Sequence, residues 1–153
     1  MTKDVYITIK TVQKAEDEQD TTELFTVGRF NKGRDKFTVS YDESEATGFE
    51  GCTVKLEVTD GMVTMTRFGS KAMTNLVIEK GRKHHCHYGT PYGDFMVGIT
   101  ADEIRSELSS KGGDLYLKYT IDINSSFMSE NEMSINIKEC TDEPLQERIF
   151  NEQ

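Results

Sequence analysis

Apolar residues recur at every second position almost from end to end of this 153-residue chain, and that period commits it to β-strands with one dry and one wet face. The clearest run sets Leu115, Leu117, Tyr119, Ile121 and Ile123 on one side and Tyr116, Lys118, Thr120 and Asp122 on the other. Val5, Ile7 and Ile9 repeat the pattern, as do Phe37, Val39 and Tyr41, then Val54, Leu56 and Val58, then Phe95, Val97 and Ile99, and last Met133, Ile135 and Ile137. Turn-forming residues separate these runs at 31–33, Asp60-Gly61, Lys80-Gly81-Arg82, Gly112-Gly113-Asp114 and the polar stretch 124–131. Connections this short make successive strands antiparallel neighbours. Roughly eight to ten such strands hide their dry faces by pairing two sheets or by closing one sheet on itself, and closure also removes the edges. The expectation is an all-β, antiparallel up-and-down barrel.

Helix signals are few. Thr100-Ala101-Asp102-Glu103 has the form of a capping box ahead of Ile104 and Leu108, which would suit a short helix over 100–108. Ile104, Ser106 and Leu108 also alternate, and a strand there keeps the meander unbroken, so a strand is expected. After Cys140 the alternation stops. The reading is one barrel domain over 1–140 and a tail over 141–153, in which Asp142-Glu143-Pro144 either opens a brief helix or heads a disordered end.

A chain of this length buries enough surface to need no staple. Its 27 acidic and 18 basic residues give a net charge of −9, which repels phosphate backbones and anionic headgroups and argues against nucleic-acid and membrane partners. The first residues run straight into an alternating segment with no export-type apolar stretch. Cys52, Cys86 and Cys140 are odd in number and widely spaced, which suits free thiols in a reducing compartment. Cytoplasmic location is the expectation.

The block Tyr41-Asp42-Glu43-Ser44-Glu45-Ala46-Thr47-Gly48-Phe49-Glu50-Gly51, with Thr66-Arg67-Phe68-Gly69, Tyr88-Gly89-Thr90-Pro91-Tyr92-Gly93 and Gly112-Gly113-Asp114-Leu115, resembles the YwiB-like family of uncharacterised bacterial proteins. The resemblance implies a lipocalin-like, calycin-type barrel, in agreement with the strand pattern. It implies no activity, ligand or catalytic residue.

Register supplies a candidate site. If Asp60-Gly61 is a two-residue hairpin loop, Thr59 faces Met62, Leu56 faces Met65 and Val54 faces Arg67. Cross-strand partners share a face, so Arg67 points inward with Val54. Glu43 and Glu45 continue the inward parity of Phe37, Val39 and Tyr41. A buried guanidinium needs a carboxylate, and a polar cluster of Glu43, Glu45 and Arg67 is expected at one end of the barrel, joined by Tyr88 and Tyr92. The same trio could instead be a structural ion pair closing the barrel, or, if the strand ends early, solvated carboxylates. Thr90-Pro91-Tyr92-Gly93 reads as a rigid turn, and tyrosines beside it suit the rim of a pocket.

All three histidines lie in His84-His85-Cys86-His87. His85 and His87 would leave a strand on one face, a spacing that offers two imidazoles to one metal, but a catalytic site needs a third ligand that the sequence does not single out. The alternative is an ordinary exposed strand. The methionines, Met62, Met65, Met73, Met96 and Met133 among them, are expected as core filler.

No nucleophile elbow, phosphate-binding loop, zinc-protease pair or dinucleotide fingerprint is present in the sequence. The first functional expectation is therefore a non-catalytic module that holds a small amphipathic or acidic molecule in the barrel, with no cofactor implied. One alternative is a barrel filled by its own side chains, with Phe25, Phe37, Tyr41, Phe95 and Tyr119 inside, that acts through a protein partner. Another is an enzyme, assisted by a metal on His85 and His87 or using Glu43 or Glu45 as general base.

Overall fold

The computed structural model describes residues 2–44, 50–69, 73–90, 93–123 and 126–140. Every regular element among them is a strand: β1 (Thr2–Ala15), β2 (Glu18–Lys32), β3 (Phe37–Asp42), β4 (Cys52–Thr59), β5 (Met62–Gly69), β6 (Thr74–Glu79), β7 (His84–Thr90), β8 (Gly93–Ser109), β9 (Gly112–Ile123) and β10 (Ser126–Glu139). Each pairs antiparallel with the next, and β1 closes on β10, so the chain forms the expected up-and-down barrel with ten strands. The helix weighed for the tail falls in 141–153, outside the described residues, as do Glu45 and Tyr92.

The hairpin of β4 and β5 has the expected register. Thr59 lies opposite Met62, Val58 opposite Val63, Leu56 opposite Met65 and Val54 opposite Arg67. Gly61 takes a positive φ of 75° at the turn, a conformation that costs glycine little.

Residues 100–108 are strand throughout. A bulge between Ala101 and Glu103 makes the ladder skip Asp102. The inward set therefore changes from Val97, Ile99 and Ala101 to Ile104, Ser106 and Leu108, and both sets keep facing β9. The extra residue explains why the alternation in the sequence changes phase there.

The polar stretch 124–131, expected as a turn, is strand from Ser126 onward. Its inward positions carry Ser129 and Asn131, both buried, and Asn131 Nδ2 donates to Ser129 Oγ at 3.1 Å. Polar residues in a dry stripe hide a strand from a hydrophobic pattern.

A belt of side chains fills the middle of the barrel. Val5, Ile7, Phe30, Val63 and Ile99 are each 0% exposed, and Phe30 stacks on Phe37 with ring centroids 5.8 Å apart. Three residues expected inside are not. Phe25 faces outward, 66% exposed, and stacks on Tyr6 of the neighbouring strand. Met73 and Met96, expected as core filler, are 55% and 59% exposed. Both stand on the outward parity of β6 and β8, next to inward Thr74 and Val97.

The wall is uneven in two places. β2 meets β3 only through 29–32, and Gly28 sits where the two diverge: a Cβ there would lie 2.2 Å from the Ser40 carbonyl oxygen. β6 and β7 share only the pairs Thr74–Tyr88 and Asn75–His87. Beyond these the Cys86 thiol enters the ladder, accepting from the Val77 N–H at 3.2 Å. A sulfur side chain thus takes the place of a backbone bond.

A candidate binding mouth at one end of the barrel

One register row crosses six strands at the end where β3, β5 and β7 finish. Tyr41 lies opposite Val54, Val54 opposite Arg67, Arg67 opposite Thr74, Thr74 opposite Tyr88 and Tyr88 opposite Phe95. All six share the inward face, since cross-strand partners point the same way. The row below is apolar: Leu56, Leu76 and Val97 are at most 3% exposed and form a floor, with Met65 partly accessible among them.

Glu43 stands above Tyr41 on the same face, anchored by its N–H donating to the Cys52 carbonyl at 2.8 Å. Its carboxylate accepts from Arg67 Nε at 3.0 Å, with the two side chains 2% and 13% exposed. Two charges this far from water are tolerated only as a hydrogen-bonded pair. The phenol of Tyr41 is pushed up to about 12, first by burial and then by the Glu43 charge, against the lowering pull of Arg67. Tyr119, reaching in from β9, is also pushed up to about 12 by burial and by Tyr88, again against Arg67. At neutral pH the phenols remain hydrogen-bonding groups without charge, and the pair between them sums to zero.

Thr74 is 0% exposed. Its hydroxyl donates to the Gly89 carbonyl and accepts from the Gly89 N–H, each at 3.1 Å, which ties β6 to β7 at the mouth. Phe95 points inward by register yet is 48% exposed. Ile121, Ile123 and Met133, also inward, are only partly buried.

The structure pairs Glu43 with Arg67 and sets Tyr88 on the same inward row, one strand beyond Thr74. Sequence reasoning named Tyr41 and Tyr119 only as large interior residues and passed over Thr74. The available signal was register: each is a polar group within an otherwise apolar stripe.

The histidines divide between faces. His84 is inward and its Nε2 lies 2.8 Å from Glu79 Oε1, while His85 and His87 are outward and exposed, His87 Nε2 being 3.7 Å from Asp94. Among the described residues no three His, Cys, Asp or Glu side chains are grouped to hold a metal ion.

The opposite end of the barrel carries a bowl of about 360 Å³, lined by Phe37, Val58, Ile104, Ser106 and Leu108 with Asp35 and Asp60 at its edge. No charged pair lies inside it.

The sequence profile of the domain of unknown function DUF1934 matches residues 7–135. The chain belongs to the DUF1934 family. A solved structure described as the ywiB protein from Bacillus subtilis is similar to it with a TM-score of 0.80 and 19% identity, covering 92% of this chain and 94% of that one. At that identity the likeness speaks for the fold. No curated protein matches the chain. The family carries no assigned function, and no helix among the described residues is long and apolar enough to cross a membrane.

Proposed function

We propose that the barrel is a non-catalytic binding module that takes the polar head of a small molecule into the mouth formed by Tyr41, Glu43, Arg67, Tyr88 and Tyr119. The supporting observation is the placement of the Glu43–Arg67 pair between an apolar floor and a half-exposed Phe95. A barrel needing only stability would fill this end as it fills its middle, because a buried ion pair is often no more stabilising than apolar side chains of like volume. A concave site with a few converging polar groups is the usual form of a small-molecule pocket. The three free cysteines support a cytoplasmic location, and the net charge of −9 argues against nucleic acid as the occupant.

The test is a fragment screen followed by amide chemical shifts. Hits are expected to move the amides of Tyr41, Arg67 and Tyr88 together. Hits that all map to the outer wall would overturn the reading and favour its rival, a protein partner docking on the apolar patch of Tyr6, Phe25 and Val27, where Phe25 and Val27 are 66% and 54% exposed.

A further inference from the structure

At the end of the barrel opposite the Glu43–Arg67 pair, Ile104, Ser106 and Leu108 face inward only because the bulge at Asp102 shifts β8 by one residue. Without it Glu103, Arg105 and Glu107 would take the inward positions, since a slip of one reverses the faces of a strand. The bowl of about 360 Å³ lies between this apolar set and Phe37 and Val58. β8 pairs with neither β3 nor β4, so the space is the end of the barrel interior and not a groove between neighbouring strands. Small residues keep it open. Ser106 is exposed within it, and Gly113, opposite Leu108 on β9, carries no side chain.

We infer that this bowl is a second binding site, independent of the mouth proposed above, and that it takes a small organic cation, a primary ammonium on an apolar ring or short chain. Charge complementarity selects the head. Asp35 stands two residues before Phe37 and Asp60 two after Val58, and Phe37 lies opposite Val58, so both carboxylates come to the same edge of the bowl. No lysine or arginine lines it. Lys36 Nζ is held by Glu57 at 2.8 Å, and Lys3 Nζ by the Ser110 carbonyl at 2.8 Å and Glu139 at 3.2 Å. Among the described residues, neither Asp35 nor Asp60 has an ion-pair or hydrogen-bond partner for its side chain. Two carboxylates sharing one edge repel each other, and an ammonium set between them offsets that repulsion. Phe37, Val58, Ile104 and Leu108 receive the apolar body. Small-molecule pockets run from roughly 300 to 1,000 Å³, so about 360 Å³ suits one ring with a short arm.

The experiment titrates the protein with phenethylamine, phenethyl alcohol and phenylacetate, which carry the same ring, and reads amide shifts at Val58, Gly61, Ile104 and Leu108. The amine is expected to bind about tenfold more tightly than the alcohol, as two partly screened charge pairs supply, and the carboxylate more weakly than either. The double substitution Asp35→Asn, Asp60→Asn should bring the amine down to the level of the alcohol and leave the alcohol unchanged. Ser106→Phe places a ring in the bowl and should remove the shifts at Ile104 and Leu108 for all three compounds, while the remaining spectrum keeps its dispersion. Phenylacetate binding as tightly as the amine, or an amine preference that survives in the double variant, overturns the cationic head. Shifts that Ser106→Phe leaves intact, or no shift at these four amides with any of the three compounds, overturn the site.

Discussion

Arg67 lies in β5 and Glu43 just past the end of β3, strands that do not pair with each other, yet Arg67 Nε donates to Glu43 Oε2 at 3.0 Å inside the barrel wall. The contact depends on both flanking registers, β3 on β4 and β4 on β5, since a slip of one residue in either would send one partner to the outer face.

Removing one partner should therefore be costlier than removing both. Arg67→Met alone leaves a carboxylate that is 2% exposed beside the Tyr41 phenol, and is expected to destabilise by about 3 to 5 kcal/mol. Adding Glu43→Gln should recover at least about 1 kcal/mol of that loss. Urea denaturation of the two single variants and the double one checks this. Additive losses would mean that the groups do not interact.

The buried phenols predict an alkaline transition. Tyr41 and Tyr119 titrate near pH 12 in the folded chain against 10.0 for an ordinary phenol, so between those values the unfolded chain gives up its protons first. Their contribution to stability is whole below about pH 10 and is lost as pH rises toward 12. Tyr116 also lies near 12, but at the outer wall, through its hydroxyl donating to Glu132 at 2.5 Å. Phenolate absorbance should resolve a late fraction among the six tyrosines, which Tyr119→Phe and Tyr41→Phe each reduce. A late fraction that neither variant reduces, with the loss falling near pH 10 instead, would contradict the burial of these rings.

The thiol between β6 and β7 gives a local prediction. Cys86 Sγ accepts from the Val77 N–H at 3.2 Å, so Cys86→Ala leaves a backbone donor without its partner, at a cost of about 1 to 3 kcal/mol. Amide exchange at Val77 should quicken more than at Val63 or Leu117. Equal acceleration at all three would indicate a uniform loss of stability instead.

Gly28 predicts a wall defect. A Cβ there would meet the Ser40 carbonyl oxygen at 2.2 Å and Ile7 Cδ1 at 2.6 Å, and main chain cannot yield as a side-chain tip can. Gly28→Ala is expected to destabilise by about 1 to 3 kcal/mol through strain. Thermal unfolding reads the effect, and a variant as stable as the parent would show that β2 and β3 can part there.

Much of this was legible in the sequence, for a physical reason. Alternation in a half-wet strand reports the inward face directly, and the Asp60-Gly61 turn then carried that parity from Val54 to Arg67. Legibility failed where the stripe was interrupted. Asp102 shifts the phase of β8, Ser129 and Asn131 make the start of β10 read as loop, and the outward Phe25 reads as core because an apolar residue on a wet face looks the same in one dimension. The mouth was half legible. Glu43 and Arg67 follow from parity and Thr74 from the β5–β6 register opposite Arg67, but Tyr119 joins them only through closure of the barrel, which no local pattern encodes.

The most direct measurement is a pair of mass spectra of the untagged protein taken gently from its expression host, one native and one denatured. The account predicts extra mass on the native protein that leaves on denaturation and is diminished in the Arg67→Met, Glu43→Gln double variant. A bare native mass, or an adduct that the double variant retains in full, would contradict a ligand at the mouth.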